Sequence, residues 1–131
     1  MMFALDTDTI SYWLRGQGRV AERLSQSAPA SVAVPAIVLH ELRYGMLRAG
    51  GATRKRDELD AFLGALLVLP FDAHAADAAA RARLELERRG EQVGPLDILI
   101  AGTALASGAT LVTHNVREFG RIRDLRVEDW Y

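Results

Sequence analysis

Four short apolar or β-branched runs, residues 2–5, 31–34, 67–71 and 110–113, alternate along this chain with longer segments of helical periodicity. Runs this short read as strands rather than helices. Strands that alternate with helices pair in parallel and have both faces covered, because each crossover lays a helix on the sheet. The expected class is therefore α/β, with a mostly parallel sheet of four strands and a fifth at residues 125–127.

The helices follow from caps, stops and apolar spacing. The first run ends abruptly in Asp6-Thr7-Asp8-Thr9, a capped helix start, with helices expected over residues 10–14 and 19–27. Pro35 is placed to open the next helix, whose apolar residues run through Ile37, Val38, Leu39, Leu42 and Leu47 to a stop at Gly50-Gly51. Residues 53–66 are charged on one side and leucine-rich on the other, the pattern of a surface helix packed back on its predecessor as a hairpin. Residues 75–89 form an alanine-rich helix closed by Gly90, and residues 96–107, apolar nearly all round, a largely buried one.

Length and composition narrow the function classes. A chain of 131 residues fills one domain, so every motif is expected to serve one site on a single domain, residues 1–131. There is no cysteine, which excludes disulfides and thiolate metal sites and leaves oxygen or imidazole ligands for any metal. The opening MMFALDTDTI lacks a basic leader and no stretch approaches a membrane span, so the expected location is cytoplasmic, away from membranes. The net charge of -1 gives no general nucleic-acid footprint. Lys55 is the sole lysine, so nearly all the positive charge is arginine, suited to bidentate phosphate contacts and equally a product of genome composition.

In an open parallel sheet, ligands bind beyond the carboxyl ends of the strands where the strand order reverses. Asp6 stands where the first strand ends. It is either a helix cap or a site residue, and with Asp8 and Thr9 available as caps it is freer for chemistry. Glu41 shares a helical face with Ile37 and Val38, where it either pairs with Arg43 or Arg48, reaches to water, or serves a metal. Asp97, in Gly94-Pro95-Leu96-Asp97, is as good a helix-start residue as a catalytic one. Together the three make sense as a metal site. Converging carboxylates repel one another unless a divalent cation neutralises them, and all-oxygen ligands suit Mg2+ or Mn2+. Such a cation lowers the pKa of a bound water and orients it on a phosphodiester. Of the histidines, His40 points off the Glu41 face and His74 is placed as a helix cap. His114, after the fourth strand, reads as a surface or phosphate contact rather than a general base.

The motifs Leu-Asp-Thr-Asp, His-Glu-Leu-Arg-Tyr-Gly, Gly-Pro-Leu-Asp-Ile-Leu-Ile-Ala-Gly and Val-Thr-His-Asn-Val-Arg-Glu-Phe occur in that order. In these the chain resembles the PIN-domain ribonuclease toxins of the VapC type over essentially its whole length, and is most similar to members acting on initiator tRNA. The resemblance implies a three-layer α/β/α sandwich and hydrolysis of RNA. It implies Asp6 and Asp97 as Mg2+ ligands, Glu41 binding the metal or its water, and Asn115 as a fourth, neutral member of the catalytic cluster where many relatives carry aspartate. One firmly held ion is then expected rather than two. Asp8, where the family often has asparagine, either adds charge near the metal or caps the helix, and the cap is expected. The resemblance also implies a cognate antitoxin and a homodimer, with the leucine face of residues 53–66 as a candidate contact surface or ordinary core.

Two alternatives stand beside this reading. Leu-Asp-Thr-Asp after a strand also resembles the nucleophile motif of haloacid dehalogenase-type phosphatases, with Asp6 as nucleophile, but that site needs a lysine and a late acidic pair. A degenerate site that binds RNA or a partner without cleaving it is the other.

Overall fold

The computed structural model describes residues 1–50 and 53–131. Gly51, half of the expected Gly50-Gly51 stop, lies outside them. The chain runs through β1 (Phe3–Leu5), α1 (Thr7–Leu14), α2 (Val20–Ser25), β2 (Val32–Pro35), α3 (Ala36–Ala49) and α4 (Thr53–Gly64). It continues through β3 (Leu67–Leu69), α5 (Ala73–Arg88), α6 (Pro95–Ser107), β4 (Thr110–Val112), α7 (Val116–Phe119) and β5 (Val127–Glu128).

The sheet is five-stranded, in the order β3-β2-β1-β4-β5, and every pairing is parallel. Phe3 stands opposite Val32 on one side and Thr110 on the other, so β1 lies at the centre. The first two crossovers step one way across the sheet and the later ones step back past β1. With right-handed crossovers this places α1–α4 on one face and α5–α7 on the other, the expected three-layer α/β/α sandwich. The reversal falls between β1 and β4, so the crevice of such a sheet opens beyond Leu5 and Val112.

Burial on both faces explains why the strands are continuous apolar runs instead of alternating ones. Ala4, Leu5, Ala33, Val34, Leu111 and Val112 are fully buried, and Ile10, Val38, Ile100, Phe119 and Trp130 close over them. Helices α5 and α6 meet at Gly102, where a Cβ would lie 2.6 Å from the Ala79 Cβ and 2.7 Å from the Ala75 carbonyl. Only glycine permits that approach.

Several local expectations are corrected. Helix α1 begins at Thr7, ahead of the expected residue 10, because the cap is Asp6 and not Asp8: the Asp6 carboxylate accepts the Thr7 N–H. Pro35 does not open α3 as its first residue. It ends β2, paired with Leu69, and takes the N-cap position of α3. His74 caps nothing, since Asp72 accepts the Ala75 N–H at 3.0 Å and starts α5. The expected hairpin of the third and fourth helices is also revised. Helix α4 rests on α1, where Phe62 stacks on Trp13 with ring centroids 4.1 Å apart, and meets α3 through a surface ion pair between Arg43 and Asp60. Its Leu59 and Leu63 are buried in the core, so the leucine face is packing rather than a free contact surface.

Candidate active site

Asp6 is anchored at the carboxyl end of β1 by both of its oxygens. Oδ1 accepts the Thr7 N–H at 2.8 Å, and Oδ2 accepts the Thr113 hydroxyl at 2.8 Å from the residue that follows β4. The backbone joins the same two strand ends, with the Asp6 N–H donating to the Val112 carbonyl at 2.9 Å and the Thr9 hydroxyl to the same oxygen at 3.0 Å. Capping and site membership, which local sequence treats as alternatives, are therefore combined in one carboxyl.

The side chain is only 6% exposed. Burial, and after it the charge of Asp8, pushes the Asp6 carboxyl up to about 7 against the opposing hydrogen bonds from Thr113 and Thr7, with Asp97 adding to the rise. Asp97, half-buried in the first turn of α6, is pushed up to about 6 by burial first, then by the charges of Glu118, Glu41 and Asp8. Asp97 adds to the rise at Asp6, Asp8 raises both carboxyls, and neither bears an ion pair among the described residues. Asp8 is thus an electrostatic member of the cluster, the alternative set beside the expected cap.

Glu41 reaches the cluster from α3. Its Oε1 accepts the Thr7 hydroxyl at 2.8 Å, and among the described residues it pairs with neither Arg43 nor Arg48. Asn115 sits at the start of α7 and donates through Nδ2 to Glu118 Oε2 at 2.7 Å, while Glu118 Oε1 accepts the Gly94 N–H at 2.9 Å. Those bonds hold the Glu118 carboxyl below its usual range. Sequence reading passed over Glu118, although it lies within Val-Arg-Glu-Phe. It ties the loop before α6 to the segment after β4 and faces Asp97. His114 is held by Asp129, its Nδ1 3.0 Å from that carboxylate, and His40 and His74 are exposed elsewhere.

Asp6, Glu41, Asp97 and Asn115 are thus brought to one end of the sheet from β1, α3, α6 and the β4–α7 turn. Among the described residues, no three His, Asp or Glu side chains stand close enough together to hold a metal ion between them. A hard divalent cation can be bound through only one or two carboxylates, with water and phosphate oxygens completing its shell, and the buried, acid-flanked carboxyls of Asp6 and Asp97 suit that mode. A cavity of about 590 Å³ lies elsewhere, between α5 and α6, lined by Ala79, Leu86 and Ile98 and touching none of these four residues.

The sole lysine does not serve Asp6. Lys55 donates to the Leu14 carbonyl at 2.8 Å, at the far end of α1. A phosphatase of the haloacid dehalogenase type would need that cation beside its nucleophile, and the arrangement lacks it.

Residues 3–125 match the model of the PIN domain. The chain is 36% identical to a tRNA(fMet)-specific endonuclease VapC of Salmonella typhimurium, over 99% of this chain and 98% of that one. It is 40% identical to Ribonuclease VapC2 of Rickettsia felis over 76% of this chain and 75% of that protein. A crystal structure of DNA-bound VapBC from Salmonella typhimurium superposes with a TM-score of 0.92 at 36% identity, over 100% of this chain and 99% of the other. Among the described residues, no helix is long and apolar enough to cross a membrane.

Proposed function

The chain belongs to the PIN-domain family, on its VapC ribonuclease branch, and from that premise we propose that it is a Mg2+-dependent endoribonuclease toxin of a toxin–antitoxin system, cutting initiator tRNA. One observation carries the site assignment: Asp6 and Asp97, delivered by the two sides of the switch point, each hold a proton more tightly than an ordinary carboxyl because each is buried near other acids. Carboxyls so placed favour a divalent cation.

Asp6 and Asp97 would hold Mg2+, with Mn2+ as a substitute, and Glu41 would complete the acidic set. A cation bound there supplies charge to stabilise the developing negative phosphate and makes water a better nucleophile. The chain's own residues set the geometry. Thr113 and the Thr7 N–H fix both oxygens of Asp6, and Thr7 holds Glu41 to the same helix start. Glu118 orients Asn115, which brings an amide and no charge, so a single firmly held ion is proposed. Residues 1–131 act as one nuclease domain in the cytoplasm, as a homodimer restrained by a cognate antitoxin. The likeness to the tRNA(fMet)-specific endonuclease supports the substrate.

The test is cleavage of initiator tRNA, with elongator tRNAs as controls, by the wild type, Asp6→Asn and Asp97→Asn. Since a metal site supplies several kcal/mol of transition-state stabilisation, each variant should lose on the order of a hundredfold or more in rate while still melting cooperatively. Cleavage that survives in both variants and in EDTA sinks the reading.

A further inference from the structure

Beside the acidic crevice, three aromatic rings from distant parts of the chain gather at the carboxyl end of β4. His114 lies 4.5 Å from Tyr131 between ring centroids, tilted by 30°, and Tyr12 of α1 meets both edge-on, at 5.6 Å from His114 and 4.7 Å from Tyr131. Tyr12 packs against the core and backs the group, while the other two rings reach solvent: the His114 side chain is 44% exposed and Tyr131 51%.

One carboxylate holds the group together. Asp129 Oδ2 is 3.0 Å from His114 Nδ1, and its Oδ1 accepts the Tyr131 N–H at 3.0 Å. A carboxylate only accepts, so Nδ1 carries the proton and the imidazole is held at a fixed orientation. Gly18 makes room beneath. A Cβ there would lie 2.7 Å from the Tyr131 Cα, and its φ of +67° already favours glycine. The neighbouring Trp130 is buried and clasped by Arg23, so the segment carrying Tyr131 is anchored while the Tyr131 ring faces solvent.

Charge and position identify the ligand. The Arg15 guanidinium lies 5.3 Å from the Tyr12 ring; its Nε donates to the Ser11 carbonyl at 3.3 Å, and among the described residues it makes no ion pair, so its charge is available to an anion. His114 is flanked by Thr113, which holds Asp6, and by Asn115, which is held by Glu118. A chain threaded past the carboxyls therefore meets the rings immediately. Fixed, exposed aromatic faces next to an arginine are the equipment with which proteins stack unpaired bases and grip their phosphates.

We propose that Tyr12, His114 and Tyr131 form a stacking platform for one unpaired nucleobase of the RNA substrate, next to the scissile phosphate, with Arg15 on the adjoining phosphate. It rests on the nuclease reading and adds to it that the segment being cut is single-stranded, with Asp129 as the positioning residue.

The test uses full-length protein and initiator tRNA carrying 2-aminopurine singly at unpaired positions, with Mg2+ for cleavage and with EDTA for binding. Loss of one base–aromatic stack should make Tyr131→Leu raise KM by about tenfold while kcat shifts by less than about twofold. Tyr131→Trp should restore KM, which a merely space-filling role would not require. Asp129→Ala keeps all three rings in the sequence but unties His114 and the Tyr131 N–H, and should also raise KM. At one position, 2-aminopurine fluorescence should be quenched by the wild type and not by Tyr131→Leu. A wild-type KM in Tyr131→Leu, or quenching that the variant retains, overturns the platform, with thermal melting confirming that each variant folds. Quenching is read from binding alone, so it judges the platform separately from cleavage, whose absence in the wild type would instead defeat the nuclease reading.

Discussion

In its middle, α6 lies so close to α5 that Gly102 leaves no room for a methyl group, and Ile98, Ile100, Ala101 and Ala104 are buried around it. In its first turn the same helix presents Asp97 to Asp8, Glu41 and Glu118, where each neighbouring charge makes ionisation harder. One stretch of helix is thus built for packing and the adjoining one for electrostatic tension. The pairing teaches that the second depends on the first: carboxyls that repel one another stay at their posts only on elements too tightly packed to yield.

Three substitutions break or sharpen that contrast. Gly102→Ala strikes the packed half, where the new Cβ would meet the α5 backbone and not a flexible side-chain end. Overpacking of this kind should cost about 3 kcal/mol, read by urea denaturation. An unchanged midpoint would show that α5 yields, and the supposed rigidity would go with it.

Asp6→Asn strikes the tense half with the opposite sign. The folded-state pKa of Asp6, about 7, stands above the ordinary aspartate value of 3.8. Its contribution to stability is therefore fully present below about pH 4 and is lost as pH rises through 7. In metal-free buffer the variant should match the wild type near pH 4 and be more stable by about 2 kcal/mol at pH 8, a value set below the full linkage energy to allow for relaxation. Adding Mg2+ should favour the wild type. A variant less stable than the wild type at pH 8 without metal would remove the tension from the account.

Glu118→Gln should have the smallest effect. Removing that charge lowers the Asp97 pKa from about 6 toward the ordinary aspartate range, measurable by carboxyl-carbon NMR titration. Cleavage should fall by less than about tenfold, since a single hydrogen bond to Asn115 is weakened. An unmoved Asp97 titration would remove Glu118 from the causes of its raised pKa and leave burial, Glu41 and Asp8.

What could be read beforehand follows the same division. The strands, the parallel sheet and the rim positions of Asp6 and Asp97 were legible because alternation and topology dictate them. Glu118 was not, because its partner Gly94 is 24 residues away and α7 is too short to announce a face. The seat of α4 depends on Trp13 meeting Phe62, a contact invisible to periodicity. Asp6 was misjudged in one respect, the assumption that a carboxylate with a capping duty has no second oxygen to give.

The placement of β1 between β2 and β4 has a consequence in time as well as in space. Asp6 leaves the ribosome well before Thr113, the residue that fixes its second oxygen, which follows 107 positions later. At roughly 5–20 residues per second, about 5–20 s separate them. Through that interval Glu41 and then Asp97 are still being added and the crevice has one wall, so a growing chain does not yet carry the finished site. A cell translating this message gains a delay before the nuclease is complete, and any inhibitor made at the same time has that delay in which to fold and wait.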